Sequence, residues 1–162
     1  MTGQKTENTA LISNLISLLE KGNAHVSLDD ALKDIPFEIL NKKPAGLTYS
    51  IWQLAEHIRI SQSDILEFSR DPNHLSPKWP EGYWPSSPTV TTKEEWQNCI
   101  KKIIRDRDSF IELLKNSGKD LYKPFTYGDG QTLLRETLVL ADHNSYHTGE
   151  IIVLRRLLND WK

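Results

Sequence analysis

His143 and His147 are the residues of this chain best placed by spacing to do chemistry. Four residues advance an α-helix by about 400°, so the two imidazoles project within roughly 40° of each other, one turn apart. Two neutral imidazoles in that relation suit one small cation such as zinc, nickel, iron or copper. The pair alone is weak, because five histidines give an appreciable chance of one such spacing by accident. The intervening residues Asn144, Ser145 and Tyr146 exclude the metalloprotease motif, which needs a glutamate beside the first histidine. Glu-x-x-His, the di-iron bundle signature, is absent too. His57, on or beside the apolar stripe of an earlier helix, changes the weight. A lone histidine there reads as a hydrogen-bonded core residue. Opposite a helix that already presents two, it completes three ligands with open positions, a catalytic rather than a closed structural arrangement. His25 and His74 fall in irregular segments and read as surface or turn residues.

Two carboxylates compete for an auxiliary role. Glu150 lies seven residues after His143, about 20° away around the helix and roughly 10.5 Å along it. It could orient His147, sit near a metal-bound water, or be solvated, and it is the nearest local candidate for a proton-transfer group. Glu136, seven residues before His143, has the weaker claim, since an ordinary surface ion pair explains it. Cys99 sits by an apolar stripe with no basic partner in the local sequence, and reads as a small buried residue rather than a nucleophile.

The elements that must position these groups are helical. Leu11, Leu15 and Leu18 predict a first helix from about Thr9 to Lys21, stopped at Gly22. Ser27-Leu28-Asp29-Asp30 predicts a short helical turn. Ser50-x-x-Gln53 is a capping box that opens a second long helix to about Ser69, ended by Asp71-Pro72. Thr92-x-x-Glu95 opens a third, whose stripe Trp96, Ile100, Ile103, Phe110 and Leu114 runs to a stop at Gly118. The fourth is predicted from about Thr132 to Asn159, with Gly149 inside it; close approach of another backbone would account for that glycine. Between the second and third helices, residues 72–90 carry five prolines with Trp79, Tyr83 and Trp84. A connection that long is a crossover, a binding loop or a lid over the site. With no strand signal, the expectation is an all-α four-helix bundle with a long crossover connection, one domain over residues 1–162.

Composition limits the partners. Net charge is −2 with a pI near 6.2, and the short pairs Lys101-Lys102 and Arg155-Arg156 read as solvated faces, so nucleic acid is not expected. No apolar run approaches a membrane span of about 20 residues. The first ten residues lack the apolar core of a secretory signal, and a single cysteine forms no internal disulfide; both favour the cytoplasm.

The runs Ser50-Ile51-Trp52-Gln53-Leu54-Ala55-Glu56-His57 and Asp142-His143-Asn144-Ser145-Tyr146-His147-Thr148-Gly149-Glu150-Ile151 resemble the DinB/YfiT-like superfamily of bacterial four-helix bundles. The resemblance covers nearly the whole chain. It implies that His57, His143 and His147 bind a divalent metal, reported in the family as nickel, zinc or iron. Glu150 is a departure, because relatives often carry glutamine after the glycine. Some relatives are thiol transferases, so the resemblance admits a metal-dependent hydrolase or thiol transferase acting on a small molecule, with a low-molecular-weight thiol as co-substrate. The alternative is a non-catalytic stress-response or ligand-binding module, with leftover helix faces offering a homodimer interface.

Overall fold

The computed structural model describes the backbone of residues 2–117 and 120–161 and the side chains from residue 8 onward within those spans. Among them the elements are α1 (Thr2–Lys21), the short α2 (Leu28–Leu32), α3 (Ile51–Arg70), α4 (Lys93–Ser117) and α5 (Leu133–Leu157), with three single-turn 3-10 segments and no strand. The start signals act as their chemistry requires. Ser50 Oγ accepts from Gln53 N while Gln53 Oε1 accepts from Ser50 N, and Thr92 and Glu95 exchange the same pair of bonds. Thr132 caps α5 through Arg135 N. Each cap satisfies amides that have no partner within their own helix. The helix stop at Gly118 lies outside the described residues. α1 begins seven residues before the predicted start, in a polar run with no apolar period to mark it.

α3 packs mainly against α4 and α5, and α1 against the same two helices. α1 and α3 therefore sit on one diagonal of the four-helix bundle, and α4 and α5 on the other. The connection from α1 to α3, residues 22–50, makes the crossing and carries α2, which rests on α5. Arg155 ties them: it is buried, donating from Nη1 to Ala31 O and Lys33 O and from Nε to Asp160. The expectation of a solvated Arg155 is thus wrong, because α2 buries it; Arg156 is exposed. By contrast, residues 71–92 join two neighbours, so their length is not needed for the crossing and is left for another purpose.

The core is divided. One apolar cluster, with Leu40, Ile51, Leu54, Ile58, Ile103, Ile151 and Leu154, fills one end; another, with Leu15, Leu66, Phe110, Leu114, Leu133 and Leu140, fills the other. Each large side chain buried this way contributes about 1.5–3 kcal/mol. Between the clusters, α3 contributes His57, Ser61 and Gln62, and α5 contributes His143, Asn144, His147 and Thr148. A polar layer inside a bundle stabilises nothing unless its groups are satisfied, so its occupants identify the site. No helix among the described residues is long and apolar enough to cross a membrane.

Candidate metal centre

His57 comes from the middle of α3, and His143 and His147 from the middle of α5. His57 and His147 are buried and His143 is half-buried. One nitrogen from each ring lies within 4.8 Å of the other two. The structure brings together all three histidines singled out by the sequence and leaves the other two outside.

Two of the three tautomers are fixed. His57 Nδ1 lies 2.7 Å from Tyr83 O, and a carbonyl only accepts, so Nδ1 carries the proton and Nε2 is a bare lone pair. His147 Nδ1 donates to Glu150 Oε2 at 2.7 Å, a bond that places the lone pair of the neutral ring on Nε2. The other Glu150 oxygen accepts from Tyr49 OH at 2.6 Å, and that bond, with burial, pushes the Tyr49 phenol up to about 12. His57 Nε2 and His143 Nε2 stand 3.1 Å apart. Two imidazole nitrogens sharing one ion at about 2.0–2.1 Å are separated by roughly 2.9 Å in octahedral and 3.4 Å in tetrahedral coordination, so the pair fits a divalent transition metal.

The electrostatics favour ligand over acid. Burial, followed by His147 and His57, pulls the His143 imidazole down to about 4. His57 is also lowered, chiefly by burial and secondarily by His147, against the opposing Tyr83 hydrogen bond and Glu150. Both rings are therefore neutral at physiological pH, with the lone pairs a cation needs.

The centre opens into a cavity of about 530 Å³ that His57, His143 and His147 help to line. Trp79, Tyr83 and Trp84 form one wall, with Trp84 stacked on His57 at 4.5 Å between centroids and 12° between planes. Residues 71–92 are fastened along the bundle: Asp64 accepts from Tyr83 OH at 2.6 Å and pairs with His74 Nε2 at 2.7 Å, Trp52 Nε1 donates to Ser87 O, and Asn41 bonds Val90 twice. These bonds hold the segment against the bundle as one wall of the cavity.

Several expectations change at this point. Glu136 is not a surface pair: it is buried, paired with Arg135, and lines the cavity. Asp64 and Arg135 line it too and went unnoticed in the sequence. The available signal was the seven-residue spacing, which sets Asp64 two turns beyond His57 and Glu136 two turns before His143. His74 is an anchor, half-buried against Asp64, rather than a plain turn residue. His25 is exposed, bonded to Val26 O and Ser145 Oγ. Glu150 is placed against His147 and Tyr49 and is not among the cavity-lining residues. A Cβ on Gly149 would meet nothing within 4 Å, so no backbone approach requires that glycine. Cys99 is buried, and burial with the neighbouring Glu56 pushes its thiol well up, which leaves it inert.

The family model of the DinB superfamily matches residues 24–151, a span that holds all three histidines, Tyr83 and Glu150. No curated protein and no solved structure matches the chain.

Proposed function

The chain belongs to the DinB superfamily, and from that premise we propose that it is a metal-dependent enzyme acting on a small molecule held in the cavity beside His57, His143 and His147. One observation carries the reading: three imidazoles with converging nitrogens face a cavity of about 530 Å³ rather than a sealed core. A structural site closes its coordination with protein ligands, whereas three ligands beside an open cavity leave room for substrate. Zinc, nickel and iron all accept an all-imidazole donor set. When bound, such an ion supplies a Lewis acid that makes water or a low-molecular-weight thiol nucleophilic near neutral pH.

The chain's own residues do the rest. Tyr83 O and the Glu150 carboxylate hold His57 and His147 in the tautomers that aim Nε2 inward, and Glu150 acts by orienting His147. Trp84, stacked on His57, and the wall of residues 71–92 shield the centre from water on one side. Trp79 and Tyr83 offer aromatic faces to an organic substrate, and Asp64, Arg135 and Glu136 supply its polar end. Their distance from the histidines, about two helical turns, favours an elongated substrate of roughly 10 Å.

The test is turnover by protein loaded separately with zinc, nickel and iron. It is offered panels of esters and amides, and panels of electrophiles together with a low-molecular-weight thiol. Turnover that requires the ion and is lost in His147→Ala is the expected result. A fully metal-loaded protein inert in both panels would contradict the enzymatic reading.

A further inference from the structure

A helix packed in a bundle turns a polar face to water, and α4 does so with Lys101, Arg105, Asp108 and Glu112. α5 does not. More than half of the large apolar side chains exposed among the described residues lie on it: Leu138, Tyr146, Val153 and Leu157, each 49–65% exposed. At 100° per residue they fall in one stripe about 100° wide, on the side of α5 that no other helix covers. Gly149 lies within that stripe, and a Cβ there would meet nothing within 4 Å, so the surface has a shallow gap beside Tyr146. Asp142 and Arg156 share the stripe. Both are exposed, and neither has an ion-pair partner among the described residues.

We propose that this stripe is the interface between two copies of the chain, packed as antiparallel α5 helices about a two-fold axis beside Gly149. The charges select both the occupant and the direction. Asp142 lies seven residues before Gly149 and Arg156 seven after it, about 10.5 Å either way and within about 20° of it around the helix. An antiparallel copy therefore sets Asp142 opposite the partner's Arg156, and symmetry repeats the pair at the other end. The apolar residues obey the same axis. Tyr146 is three residues before Gly149 and Val153 four after it, so each Tyr146 ring meets the partner's Val153. A parallel pair would set Asp142 against the partner's Asp142 and Arg156 against the partner's Arg156, which like-charge repulsion disfavours. The stripe is thus complementary to itself, the property an isologous contact needs and a surface for an unrelated partner does not. A single pair of helices stands at the small end of specific interfaces, so the dimer is a reversible one. Nothing in this inference depends on the metal centre.

Sedimentation velocity over a concentration series at low ionic strength tests the proposal on the full chain, with circular dichroism and melting temperature as fold checks. Wild type is expected to pass reversibly from monomer to dimer in the micromolar range. Asp142→Arg and Arg156→Asp each set like charges against each other at both ends of the contact, and each should weaken association by at least about tenfold. Mixed in equal amounts, the two variants should associate about as tightly as wild type, because both unlike pairs are restored between the two chains. Val153→Asp, which sets a carboxylate in the apolar middle of the contact, should stay monomeric at concentrations where wild type is dimeric. A wild type that remains monomeric into the millimolar range would overturn the assignment. So would folded single variants that dimerise as wild type does, or a mixture that fails to recover, since the contact would then lie on another face or in another register.

Discussion

Replacing His143 by leucine separates a ligand from a structural core residue, because the two roles give opposite effects on stability. A structural histidine in the core holds its neighbours by hydrogen bonds, and its loss costs about 2–3 kcal/mol or more. In metal-free protein the His143 ring has one partner, His57 Nε2, and one orphaned nitrogen. His143→Leu removes the orphan, worth about 1–3 kcal/mol, and leaves His57 Nε2 unpartnered at a similar cost. The two changes offset, so metal-free stability at pH 7.5 should move by less than about 1 kcal/mol. Acid breaks the balance. The His143 ring titrates at about 4 in the fold against an ordinary 6.5, so the unfolded chain takes up its proton first. The stability of wild type is therefore lost as pH falls from about 6.5 toward 4, and this ring accounts for about 2 kcal/mol of the loss at pH 5. His143→Leu lacks that term and should be the more stable protein at pH 5. Added metal reverses the order at pH 7.5: free ion at a hundred times the dissociation constant stabilises wild type by about 2.7 kcal/mol and the variant not at all. Urea unfolding of chelator-treated and metal-loaded protein at the two pH values measures all four quantities. A variant weaker than metal-free wild type by 2 kcal/mol or more at both pH values, and indifferent to metal, would refute the reasoning.

Other substitutions read the surrounding shell. Glu150→Leu should lower metal affinity by about 10–100-fold, while Glu150→Gln keeps an acceptor for His147 Nδ1 and loses less; chelator competition ranks them, and equal losses would show that charge rather than orientation matters. Gly149→Ala should raise stability by about 0.5–1 kcal/mol without touching metal content, since the added methyl enters open space on an exposed helix position; a loss of stability would mean that the glycine serves another contact. Asp64→Leu frees both Tyr83 and His74, so amide exchange across residues 71–92 should rise selectively; uniform protection would show that Trp52 and Asn41 fasten the wall unaided.

What the sequence made legible follows from the range of the forces involved. Capping is local, and the boxes at Ser50 and Thr92 fixed the starts of α3 and α4 to the residue. The pair His143 and His147 is local as well, and the family resemblance joined His57 to it. Contacts between helices are not local. Which face of α5 meets α3 decides that Glu136 is buried at the cavity and Leu138 is exposed, and no window of sequence contains that information. The acceptor for His57 is the main-chain carbonyl of Tyr83, a group every residue possesses, so no side-chain pattern could reveal it. Arg155 looked solvated because α2, which buries it, lies more than a hundred residues away in the chain. The polar run at the start of α1 carries no period to read.

Metal content tests the central claim most directly. Untagged wild-type protein and its His57→Ala and His143→Ala variants are expressed with zinc, nickel and iron supplied, and their metals are counted by elemental analysis alongside a fold check. About one ion per chain is expected in wild type and close to none in either folded variant, since each loses one of three ligands. A wild type that stays empty even after reconstitution with all three metals, or variants that hold as much metal as wild type, would contradict a metal centre at these histidines.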